Sequence, residues 1–130
     1  MTHEIAQYFH NQSVGVLGTS VFYGKMPGIS QNFTILVRDT GGPKPNVDIH
    51  EIQNPTFQVF IRSKNYDIGK AKLTIIRNLL HGVINEYLIP GGIYYRKIQA
   101  MSEGGHIGAN ENGQDEFSIN FIAQIIEWEE

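Results

Sequence analysis

The chain has 130 residues, 41% hydrophobic and 18% charged, which fits one globular domain over residues 1–130 and excludes a disordered chain. Ten Lys and Arg against thirteen Asp and Glu, net −3, exclude a dedicated nucleic-acid binder, which needs a basic footprint to neutralise phosphates. The absence of Cys removes disulfides, Cys–zinc sites and cysteine nucleophiles together.

In chain order, Met1-Thr2-His3-Glu4 has no basic n-region and no apolar run behind it, which predicts no signal peptide. Nowhere does an apolar run approach the ~20 residues of a membrane span, so no membrane is expected as a partner. Thr2 can cap a helix over 2–12, with Ile5, Tyr8 and Phe9 on one face. Residues 14–31 are rich in Gly and read as a loop with at most one short strand. Asn32–Arg38 is a predicted strand, with Phe33, Ile35 and Val37 sharing a face. Asp39-Thr40-Gly41-Gly42-Pro43 breaks it and opens a long segment to about Pro55. Thr56–Ser63 is the next strand, with Phe57, Val59 and Ile61 on one face and Gln58, Phe60 and Arg62 on the other.

Asn65 can cap a second helix over Tyr66–His81, with Asp67 favoured in its first turn by the helix dipole. Ile68, Ala71, Ile75 and Leu79, together with Ile76, Leu80 and Val83, form a broad apolar stripe that predicts a core-facing surface. Gly82 stands where a left-handed residue is wanted after the helix. Val83–Ile89 reads as a short extended segment, Pro90-Gly91-Gly92 as a turn, and Ile93–Met101 as a strand. Ser102–Gly113, with its glycines and asparagines, reads as a flexible loop. Asp115–Glu127 is a long strand with Phe117, Ile119, Phe121, Ala123 and Ile125 on one face. The expected fold is α+β: a mostly antiparallel sheet of about four to five strands, with two helices packed on one face.

Chemistry-bearing patterns are weak. His3, His10, His50, His81 and His106 have no zinc-type spacing, so neither a metal nor another cofactor is expected. The run Glu103-Gly104-Gly105-His106 lacks the Lys-Ser/Thr ending of a phosphate loop. Asn110-Glu111-Asn112-Gly113 resembles part of a calcium loop, but the position that needs Glu falls at Ile119. No Gly-x-Ser-x-Gly is present, and Asp115-Glu116 and the acidic end of the chain read as solvated or interface carboxylates. Tyr94, Tyr95, Phe57 and Phe60 could stack bases, but no basic stripe accompanies them. No enzyme is expected.

An ordered series of motifs spans roughly residues 5–125. Arg38-Asp39-Thr40-Gly41-Gly42 follows the first strand, and Gln58-Val59-Phe60-Ile61-Arg62-Ser63-Lys64-Asn65-Tyr66 crosses into the long helix. Tyr94-Tyr95 with Ile98 and Ala100 comes next, and Gly108–Gly113 leads into Glu116-Phe117-Ser118-Ile119-Asn120-Phe121. In this order and spacing the chain resembles the tail-terminator, or minor capsid, family of long-tailed siphophages. The Gly- and Asn-rich run 102–114 departs from the family, where a Pro near its start is expected.

The resemblance implies a structural virion protein, assembled in the bacterial host cytoplasm and sited in the tail neck. It implies a homo-hexameric ring that caps the tail tube, ends its polymerisation and offers a surface to the head. The implied partners are copies of itself, the tail tube protein and the head-side connector or stopper, with genomic DNA passing through without specific binding. Another neck component, such as a head completion or stopper protein, and a small-ligand-binding α+β domain stay open as alternatives. The segments 39–55 and 102–114 are long enough to be assembly loops. Candidate contact residues are Arg38, Asp39, Arg62, Tyr66, His106, Asn110, Asp115 and Glu116. Arg and Tyr are favoured at interfaces for bidentate geometry and a rigid amphipathic ring. For each, an intrachain ion pair or cap is the competing reading.

Overall fold

The longest strand, β8 (Asp115–Ile126), alternates without a break: Phe117, Ile119, Phe121, Ala123 and Ile125 are buried, and the residues between them are half-buried. A strand with one apolar face has its register fixed, because a slip by one residue would turn every side chain over. β8 is accordingly the axis of the sheet. The computed structural model describes residues 1–25, 32–41 and 52–126.

Along one side of β8 run β3 (Ile52–Gln53) and β4 (Thr56–Ser63), both antiparallel to it. Asn54-Pro55 separates them, as a residue without an N–H interrupts a ladder. The Pro55 carbonyl still accepts from the Ala123 N–H at 2.9 Å. Along the other side run β6 (Tyr94–Ala100) and β7 (Gly105–Ala109), again both antiparallel. Between these two strands Gly104 has φ +77 and lies so close to β8 that an added Cβ would sit 2.8 Å from the Ile119 Cβ. β2 (Phe33–Gly41) pairs with β4, β1 (Val21–Tyr23) runs parallel to β2, and β5 (Val83–Tyr87) pairs with β6.

Among the described residues the result is one mixed eight-stranded sheet, ordered β1-β2-β4-β8-β6-β5, with β3 and β7 attached to β8. This corrects the expectation of a mostly antiparallel sheet of four to five strands, although the protein is still α+β. β5 falls in the stretch read as a short extended segment and β1 in the loop allowed one short strand, while β3 and β7 fall in stretches read as loops. β7 lies within the Gly-rich run 102–114, where backbone pairing with β8 overrides a composition that signals flexibility. β1 is three residues long, the one short strand that the reading of residues 14–31 allowed. Most of the expected loop 39–55 falls on residues 42–51, outside the described residues.

Two helices cover the face that carries Phe57, Val59, Ile61 and the odd-numbered residues of β8, and all share one apolar cluster. α1 (Thr2–Asn11) buries Ile5, Ala6 and Phe9 against β1 and β2. Its cap position is Met1 and carries no side-chain cap, so Thr2 is the first helical residue and not the cap expected of it. The Glu4 carboxylate accepts from the Ile93 N–H at 3.1 and 3.2 Å, tying α1 to the turn before β6.

α2 (Tyr66–Leu80) starts as its sequence predicts: Asn65 Oδ1 accepts from the N–H groups of Asp67 (2.8 Å) and Ile68 (3.2 Å). It lies across β4, β8 and β6 through Gly69, Leu73, Ile76 and Leu80. Gly69 permits the close approach, since an added Cβ would overlap the Phe117 ring and sit 3.1 Å from the Ser63 Cβ. Three of the seven residues of the predicted core stripe are therefore outside: Ile68 and Ile75 are 43% and 44% exposed, and Ala71 is exposed too.

Candidate functional site

Six of the eight sequence candidates form two groups, one on each face of the sheet, and Asp39 and Asn110 stand apart from both. On the helix side, where β8 begins, Tyr66, His106 and Asp115 come together. His106 Nε2 lies 3.0 Å from Asp115 Oδ1. Tyr66 stands edge-on to His106, with ring centroids 5.2 Å apart, and both rings lean on the buried Phe117 at 5.4 and 5.1 Å. The register of β7 on β8 sets this up, because His106 pairs with Phe117 and Ala109 with Asp115. Tyr66 arrives from the capped start of α2.

On the face opposite the helices, Arg62 Nε lies 3.3 Å from Glu116 Oε2, across a directly opposed β4–β8 pair. Arg38 donates from Nε to Gln58 Oε1 at 2.7 Å. The guanidinium carbons of Arg38 and Arg62 each lie 6.0 Å from the centre of the Phe60 ring, at the outer limit of a cation–π contact. This face is thus a row of Arg38, Phe60 and Arg62, with Glu116 beside Arg62. The Arg62–Glu116 pair is part-buried, with side chains 28% and 21% exposed.

Asn110 has a local role: its Oδ1 accepts from the Asn112 and Gln114 N–H groups at 3.0 and 2.9 Å, closing the β7–β8 turn. Asp39 sits near the exposed end of β2, opposite Phe57, away from both groups.

A cleft of about 610 Å³ beside α1 had no counterpart among the sequence candidates. His10, Ser13, Ser20, Phe33 and Lys72 are in its lining. Lys72 Nζ donates to the Val14 carbonyl at 2.6 Å and lies 4.5 Å above the Phe33 ring, and burial pushes its pKa down. Its place on α2 at helical spacing was legible, but its reach across to Val14, 58 positions away, was not. Tyr95 is fully buried with its hydroxyl unpartnered among the described residues. Desolvation, and then the charge of Glu4, push its pKa far up. Among the described residues no group of three or more His, Asp or Glu could hold a metal ion.

The fold and its surface describe an α+β domain whose polar and aromatic groups are spread over exterior faces instead of converging on one centre. A family model described as bacteriophage tail terminator protein matches residues 8–126, and the chain belongs to that family. It is a structural phage protein and a component of the virion. Among solved structures, the chain is similar to one in the structure described as "Virion of native gene transfer agent (GTA) particle". The TM-score is 0.66 at 12% identity, covering 98% of this chain and 95% of that one. That likeness is one of fold. No curated protein matches the chain.

Proposed function

We propose that this protein closes into a hexameric ring on the end of the tail tube, stops tube growth there, and presents the surface on which the head-side connector or stopper docks. The observation that carries the reading is the family match over residues 8–126. In this role the protein works by contact and catalyses nothing. It sits in the tail neck after assembly in the bacterial host cytoplasm. A ring needs two different surfaces on each subunit, related by a rotation that closes. The two candidate groups on opposite faces of the sheet suit such a subunit: Tyr66, His106 and Asp115 on one, Arg38, Arg62 and Glu116 on the other. Asp39 and Asn110, at a strand end and a turn, are further contact positions. A net charge of −3 suits a ring through which DNA passes without being held.

The test is to polymerise the tail tube protein with and without this protein and to image the products. Tubes with a six-fold ring at one end and a shortened length distribution are expected. Unchanged lengths, with no density at tube ends, would contradict the reading.

A further inference from the structure

The outward flank of α2 is apolar where a solvent-facing flank should be polar. Ile68, Ala71 and Ile75 recur at intervals of three and four residues, which sets them in one stripe. The flank that packs on the sheet is a different set, Gly69, Leu73, Ile76 and Leu80. Three apolar side chains aligned on the exposed side of one helix make this stripe a candidate contact surface.

Charge indicates what covers it. Residues 64–80 hold four basic side chains, Lys64, Lys70, Lys72 and Arg77, against the single acid Asp67, a net of +3, of which Lys72 is turned to the Val14 carbonyl and away from the outward flank. The rest of the chain holds six basic against twelve acidic side chains, a net of −6, which together with the helix gives the total of −3. A basic apolar helix on an otherwise acidic protein finds its complement in another copy of the same protein. Two such helices meeting about a two-fold axis would set basic side chains against basic side chains. The favourable contact therefore joins α2 to a different surface of the neighbour, which is the heterologous geometry that generates a ring.

We propose that the outward flank of α2, with Ile68, Ala71 and Ile75 framed by Lys64 and Lys70, is one half of the contact between copies of this chain. The other half is an acidic surface of the neighbouring copy, outside residues 64–80. The proposal rests on the ring reading and names one side of its subunit contact.

Because the sequence has no Cys, Ile75→Cys gives a single site for a maleimide–benzophenone label. The labelled full-length protein is photolysed under conditions where the mass of the unlabelled protein, free or on tail tubes, shows assembly. A product with the mass of two chains is expected, joined from position 75 to an acid-bearing peptide outside 64–80, and reduced by salt. Lys64→Glu with Lys70→Glu should weaken association about ten-fold or more with an unchanged melting temperature. Assembly without that cross-link, a helix-to-helix product, or adducts with the tube protein alone would overturn the proposal and leave the ring reading standing. Failure to assemble under any condition would overturn both.

Discussion

The two flanks of α2 carry much the same residue types and meet opposite fates. Leu73, Ile76 and Leu80 lie in the common apolar cluster, while Ile68, Ala71 and Ile75 face outward. Hydrophobicity does not separate the two sets. What separates them is Gly69, which lets the helix axis come down on Phe117 and Ser63 and so fixes which side is inward. The comparison teaches that an apolar stripe wider than one helix face holds more than core, and that the surplus is surface kept for another purpose.

This difference can be broken from the inward side first. Ile76→Ala removes a fully buried side chain and should cost about 2–5 kcal/mol, measured by urea unfolding. Gly69→Ala forces a methyl against the Phe117 ring and should cost about 1–3 kcal/mol, because helix and sheet must part. Removing the cap with Asn65→Ala should cost about 1 kcal/mol, since two N–H groups at the start of α2 lose their acceptor. On the outward flank, Ile75→Ala should change stability by no more than about 0.5 kcal/mol in the same assay. A loss at Ile75 as large as that at Ile76 would erase the distinction.

Tyr95 sharpens the comparison from the core side. Its phenol stays protonated in the fold to a pH well above the ordinary value of 10, because burial and Glu4 disfavour the charged form. Above pH 10 the unfolded chain loses this proton and the folded one keeps it. The stability the group contributes is therefore present below pH 10 and lost as pH rises through the folded value. Tyr95→Phe should flatten that alkaline decline, and at neutral pH it should leave the melting temperature unchanged or slightly raised, because the hydroxyl it removes has no partner.

The main elements were legible because their signals are local. The Asn65 cap, the strand Thr56–Ser63 and the alternation of β8 each follow from neighbouring residues. β7 was not legible, because a run such as Gly105–Ala109 becomes a strand only when β8 offers its edge. The eight contact candidates were chosen by residue type and position in the chain. That information could not tell that Arg62 and Tyr66, four residues apart, would end on opposite faces of the sheet. Nor could it divide the residues of α2 between core and surface, since the division depends on the depth to which Gly69 lets the helix sink.

The most direct test joins the two proposals in one measurement, the length distribution of tail tubes grown with wild-type protein and with Ile68→Ser/Ile75→Ser. The account predicts that wild type shortens the distribution, while the variant, folded and equally stable, leaves tubes as long as those grown without it. A variant that shortens tubes as well as wild type does would contradict the assignment of α2's outward flank to assembly.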